Sequence, residues 1–150
     1  MLTLRERDDL EFQLSINVTG VHNVTRECIP LTKSSKVKKV ANVSSGFASN
    51  ILAAHYTYAR CPAYKISKAA LNNLMVQYLL DYKDESFIFI ALSPGWLQSD
   101  MGGKGADLTI SQGADVVLDL VESLEQNGNG CFKNINVPGW EAYNGEDIPW

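Results

Sequence analysis

Apolar residues along the chain fall into two kinds of pattern. Leu10, Leu14, Val18, Val21, Val24 and Cys28 recur at helical spacing and make one apolar face. Thr3 and Glu6 form a capping-box pattern ahead of it, and Pro30 with the basic run 33–39 is expected to end it. The same periodicity returns in Leu71, Leu74, Met75, Tyr78 and Leu79. Pro62 suits a first helical position, so a second helix is expected to open just before Tyr64 and to run to about Asp84. A third covers roughly Ser111 to Gln126, with Ala114, Val117, Leu118, Val121 and Leu124 inward, and Asn127 to Gly130 closes it. Between the helices lie short continuous apolar runs, Val40 to Val43 and Phe87 to Leu92, which read as strands buried on both faces. Cys131 to Val137 offers a third, short strand. Helix, strand, helix, strand, helix, strand in that order indicates an α/β chain with a parallel sheet and right-handed crossovers. With no repeat, low-complexity tract or linker, residues 1–150 are expected to form one architectural unit.

Composition narrows the partners. The chain has 150 residues, 45% of them hydrophobic, which is enough for one sizeable core. Its net charge of −4 argues against nucleic acid or an anionic membrane as a partner. No apolar run approaches the ~20 residues of a membrane span. Arg5, Glu6, Arg7, Asp8 and Asp9 make the N-terminal stretch unlike a signal peptide, so a cytoplasmic location is expected. Cys28, Cys61 and Cys131 are odd in number, widely spaced and match no metal pattern, which points to reduced thiols and no metal site. His22 and His55 read as a helix-surface and a loop histidine, and the basic run as a solvated connection.

Candidate chemistry begins with Tyr64-Lys65-Ile66-Ser67-Lys68. Four residues apart on a helix, Tyr64 and Lys68 share one face. A free phenol titrates near pH ~10, and a neighbouring ammonium is expected to lower that value and ease proton exchange with an alcohol or carbonyl oxygen. Ser44 and Ser45 stand at the carboxyl end of the first strand, and Ser93-Pro94-Gly95-Trp96 at that of the second. In open α/β sheets ligands bind beyond those ends, so all three elements are expected to converge. On residue type, each still has a plainer reading: a surface pair, a turn-forming serine, an ordinary Pro-Gly turn. Gly102, Gly103 and Gly105 suit either a mobile lid or an ordinary flexible loop.

Taken in order, these motifs resemble the short-chain dehydrogenase/reductase family, whose pattern is Asn, Ser and Tyr-x-x-x-Lys followed by a Pro-Gly turn. The resemblance runs from about Leu10 to the C-terminus. Asn17-Val18-Thr19-Gly20-Val21 is similar to the helix with the family's Asn, and Val40 to Gly46 to the strand with its Ser, matched best by Ser45. Pro94 to Gly102, the long Ser45-to-Tyr64 segment and Ile148-Pro149-Trp150 resemble a branch containing C-factor, sniffer and fungal norsolorinic-acid-ketoreductase-like proteins. The resemblance implies a partial Rossmann-type doubly wound sheet, holding the last three of seven strands. It implies catalytic roles for Asn17, Ser45, Tyr64 and Lys68, and NADP or NAD held by Tyr64, Lys68, Pro94, Gly95 and Ser99. The substrate would be a small carbonyl or alcohol.

The family's opening strand with a Gly-x-x-x-Gly-x-Gly turn, and its Asn-Asn-Ala-Gly element, have no counterpart here. Gly102 to Gly105 and Gly128 to Gly130 have other spacing and other flanks. The chain is therefore expected to be the C-terminal portion of a single reductase domain. Its first strand would be left with an open edge, which favours self-association. Three functions follow as alternatives: an NAD(P)-dependent carbonyl reductase, a shortened non-catalytic relative, or an interaction module that pairs through that edge.

Overall fold

The computed structural model describes residues 9–150, so the Thr3–Glu6 cap lies outside the described residues. The elements are α1 (Leu10–Leu14), a π-helical turn (Ser15–Gly20), α2 (Val21–Lys33), β1 (Lys39–Val43), α3 (Pro62–Asp81), β2 (Ile88–Ser93), α4 (Ile110–Ser123) and β3 (Phe132–Asn134). The three strands form one parallel sheet in the order β1-β2-β3.

β2 is buried along its whole length. Its side chains alternate between the faces of the sheet, as a strand's must. Phe89 and Ala91 join Ile29, Met75, Tyr78 and Phe132 against α2 and α3. Ile88, Ile90 and Leu92 join Leu124, Val117 and Val121 against α4. Helices thus cover both faces, giving a partial doubly wound Rossmann-type sheet.

Several sequence expectations need correction. The first helix runs on from α1 through the π-helical turn into α2, with helical backbone at each junction, and it passes Pro30 to reach Lys33. Thr32 and Ser34 hydroxyls donate to the Cys28 and Leu31 carbonyls, which supports the last turn despite the proline. The wider π turn also rotates the buried stripe. Thr25 and Ile29 are buried, while Val24 is 65% exposed and Cys28 is exposed, so the inward line beyond Val21 is not the expected one.

In α4, Gly113 is buried and Leu118 is 56% exposed. Leu97 sets that rotation, because a Cβ on Gly113 would stand 2.3 Å from Leu97 Cδ2. β3 stops at Asn134, beyond which the chain bridges antiparallel to the C-terminal segment at Asn136 and Asn144.

The basic run is not merely solvated. Lys39 Nζ donates to the Val121 and Glu122 carbonyls at the end of α4, and Lys38 Nζ to the Glu85 carbonyl. His22 is no surface histidine either, since its Nδ1 lies 3.0 Å from the Tyr78 hydroxyl between α2 and α3.

β1 is an edge strand, as its sequence context implies. A groove of about 610 Å³ runs between it and α2, lined by Val21, Val24, Ile29, Val40, Val43 and Leu71 among others. Among the described residues no helix is long and apolar enough to cross a membrane, and no group of three or more His, Cys, Asp or Glu could hold a metal.

Candidate active site

β1 delivers two serines that face opposite ways. The Ser44 N–H donates to the Leu92 carbonyl at 2.7 Å, extending the ladder, and its hydroxyl donates to Asn72 Oδ1 at 2.6 Å. Strand alternation then turns Ser45 away from Asn72. Its oxygen caps the short turn Gly46–Ala48 by accepting from the Phe47 N–H, and it stands close enough to the Tyr64 phenol to favour the phenolate. The Gly46 N–H donates to Ser93 Oγ at 3.1 Å, joining the carboxyl ends of β1 and β2.

α3 opens on Pro62 as expected. Tyr64, Lys68 and Asn72 follow at four-residue steps and share a face. The Lys68 ammonium lies 5.7 Å from the centre of the Tyr64 ring and donates to the Val43 carbonyl at 2.9 Å. Burial holds the Lys68 ammonium below the usual lysine range. It also pushes the Tyr64 phenol up, an effect that Ser45 opposes and nearby Cys61 reinforces. The expected lowering of the phenol by Lys68 therefore does not prevail here. Burial penalises both charged forms, and a backbone carbonyl takes one of the ammonium's donors.

Asn17 sits on the π-helical turn. Its Nδ2 donates to Ser67 Oγ at 2.9 Å and to Gln13 Oε1 at 3.1 Å, and the Ser67 hydroxyl donates to the Tyr64 carbonyl at 2.8 Å. Asn17 thus reaches α3 at the residue before Lys68.

Beyond β2, Gly95 has φ +80. A Cβ there would stand 2.9 Å from Ile135 Cδ1 and 3.1 Å from Leu108 Cδ1, so conformation and space both require glycine. The Trp96 N–H donates to the Tyr143 hydroxyl at 3.1 Å, and that hydroxyl donates to Asp107 Oδ2 at 2.5 Å. Burial and the Asp107 bond push the Tyr143 phenol up to about 12. Ser99 Oγ accepts from the Gly102 N–H, so its hydroxyl is engaged within the loop. A Leu97–Leu108 bridge ties the loop's base, while Met101 at its tip is 85% exposed.

The structure thus brings Ser45 close enough to the Tyr64 phenol to shift its proton affinity, and sets Lys68 on the Tyr64 helix face. Asn17 meets α3 one residue away, and Pro94-Gly95 follows the neighbouring strand end. Residue patterns missed the supports. Asn72 continues the Tyr64–Lys68 spacing and could have been found that way. Tyr143 and Asp107 are too distant in sequence to be paired by any local signal.

Comparison with known proteins settles the family. The short chain dehydrogenase family model matches residues 2–126. The chain belongs to that family. The C-signal protein of Myxococcus xanthus is 32% identical over 142 residues, covering 95% of this chain and 79% of that protein. The short chain dehydrogenase gsfK of Penicillium aethiopicum is 34% identical over 149 residues, covering 95% of this chain and 59% of its own length. Among solved structures, carbonyl reductase Sniffer of D. melanogaster superposes with a TM-score of 0.81 at 26% identity, over 96% of this chain and 58% of that one. An NADPH-bound carbonyl reductase from chicken fatty liver shares the fold with a TM-score of 0.85 at 23% identity, over 99% of this chain and 61% of that one. The chain therefore spans about three fifths of these reductases.

The family implies NAD(P), and the donor set present suits one end of it. Lys68 has one of its three N–H donors on Val43, which leaves two for ribose hydroxyls, and Tyr64 stands beside it. The pyrophosphate has no such cradle among the described residues. The N-terminus of α4 is closed by its own capping box between Thr109 and Gln112, and Gly128 ends a short helical turn instead of opening a helix.

Proposed function

We propose that these residues form the proton-handling part of an NAD(P)-dependent carbonyl reductase site. The observation that carries this reading is the Lys68 ammonium 5.7 Å from the Tyr64 ring on one helix face, with Ser45 close enough to the phenol to shift its proton affinity. A substrate carbonyl oxygen placed against both hydroxyls accepts a hydrogen bond from Ser45 and a proton from Tyr64. Bound NAD(P)H supplies the hydride that reaches the carbonyl carbon. The Lys68 ammonium stabilises the phenolate left behind and holds the ribose. Asn17, anchored through Ser67, orients a water that returns protons toward Lys68. Pro94, Gly95 and Ser99 border the nicotinamide side. Run backward, the same groups take a proton from an alcohol.

A second reading is a relative that keeps the site and does not hold the dinucleotide. It is favoured by the capping box that already satisfies the N-terminus of α4.

The test joins this chain to the cofactor-binding portion of a matched reductase such as the Penicillium protein. The chimera is expected to reduce aldehydes or ketones, and Tyr64→Phe to cut turnover by at least ~100-fold while the dichroism stays unchanged. A folded, cofactor-binding chimera without turnover, or an active Tyr64→Phe variant, would sink the reading.

A further inference from the structure

Lys65 directly follows Tyr64 on α3, and the proton-handling chemistry makes no use of it. It is half-buried, and both of its partners lie in the segment between Ser45 and Tyr64. Lys65 Nζ donates to the Tyr56 carbonyl at 2.6 Å and stands 5.2 Å from the centre of the Phe47 ring. A cation within about 6 Å of a ring centre is attracted to the negative face of that ring. The bond to the carbonyl is charge-assisted and stronger than a neutral one. Phe47 and Tyr56 also pack edge-on against each other, with ring centres 4.8 Å apart. One ammonium therefore grips two residues nine positions apart that already touch.

Those partners lead back to Ser45. The Phe47 N–H donates to Ser45 Oγ at 3.3 Å, and the Ala48 N–H donates to the Ser45 carbonyl at 2.8 Å. Phe47 thus belongs to the turn that Ser45 caps. The Tyr56 hydroxyl lies 3.0 Å from the point where a Gly46 Cβ would stand, which brings Tyr56 against the same turn. Lys68 on the Val43 carbonyl and the Ser44 hydroxyl on Asn72 join β1 to α3 before Ser45 in the chain. Lys65 makes the corresponding bonds after it. The middle of the segment is held elsewhere, the Ile51 N–H donating to the Trp150 carbonyl at 3.2 Å.

Resting on the carbonyl-reductase reading above, we infer that Lys65 is a positioning residue for that reaction. Its ammonium clamps the turn that carries Ser45 onto the turn of α3 that carries Tyr64, and so sets the approach of the two hydroxyls. It acts through Phe47 and Tyr56 and touches neither substrate nor cofactor. Arginine at this position keeps the cation and its donors, whereas methionine keeps a stem of similar length and loses both.

Amide hydrogen exchange followed by NMR reads the clamp in the 150-residue chain without cofactor or substrate. Lys65→Met is expected to speed exchange of the Phe47 and Ala48 amides roughly three- to tenfold, while the amides of β2 keep their protection. Lys65→Arg is expected to restore wild-type exchange. In the chimera described above, Lys65→Met should lower kcat roughly three- to tenfold with a smaller change in KM. Lys65→Arg should recover the loss, and Lys65→Met should add little in a Ser45→Ala background, because two residues that act through one contact are not additive. A lysine that merely stabilised α3 would cost the same in both backgrounds. Unchanged exchange at Phe47 and Ala48 in Lys65→Met, no recovery in Lys65→Arg, or a full further loss in the Ser45→Ala background would overturn the inference. A chimera without turnover would sink the reductase reading, and the exchange measurement would still decide whether Lys65 holds the turn.

Discussion

Tyr143 shows how one residue can hold a site together without belonging to its chemistry. Its hydroxyl satisfies the Trp96 N–H and the Asp107 carboxylate at once, fixing the turn after β2 to the base of the 97–108 loop. Tyr143→Phe leaves both groups unpaired, and the expected cost is about 1–3 kcal/mol. A pH signature separates this from lost packing. The folded phenol titrates at about 12 against an ordinary value of 10.0, so its contribution is complete below pH 10 and is lost as pH rises toward 12. Urea titrations at stepped alkaline pH should show wild type losing its advantage over Tyr143→Phe across that interval. A constant difference would deny the bond its role. The same scale exposes the limit of motif reading at Tyr64. The Tyr-x-x-x-Lys spacing put both groups on one face, yet the environment of each was decided by burial and by the Val43 carbonyl.

At the level of elements, helix starts were more legible than helix faces. Pro62 marked the start of α3 because a proline loses nothing at a position whose N–H has no partner. On α4, Val117, Val121 and Leu124 pack inward as expected while Ala114 and Leu118 do not, and Leu97, a loop residue, occupies the space over Gly113. The stripe of α2 was misjudged because a π turn is invisible to a 3.6-residue periodicity. α4 offers the plainest test. Thr109 Oγ1 accepts from the Gln112 N–H while the Gln112 side chain accepts from the Thr109 N–H. Thr109→Ala should cost about 1 kcal/mol, read as a lower urea midpoint with an unchanged slope. No change would mean that Leu97 and the loop hold that terminus unaided.

For the whole molecule, the open edge of β1 is the dominant fact. Val43 is 52% exposed, and an apolar groove follows the strand on its α2 side. An uncovered parallel edge presents unpaired backbone groups beside apolar surface. The isolated 150 residues are therefore expected to self-associate at micromolar concentration. Sedimentation velocity decides this, and a monodisperse monomer would show the edge to be self-sufficient. The second expectation at this scale concerns catalysis by the isolated chain. Positioning of reactants is worth up to roughly 7–11 kcal/mol of barrier, and the groups proposed above to hold a dinucleotide would reach one end of it. Titration with NADH and NADPH, followed by cofactor fluorescence, should give no micromolar binding, and turnover should be negligible. Tight binding would mean that a second copy supplies the cradle. Sequence by itself determined the α/β class, the strand order along the chain and the residues proposed to carry the chemistry. These depend on local periodicity and on side-chain type. The tertiary structure decided which helix faces are buried, how Asn17 reaches α3 through Ser67, which way the Tyr64 and Lys68 proton affinities move, and that Tyr143 braces the turn at Gly95. Each of those depends on contacts between residues far apart in the chain, which no local pattern encodes.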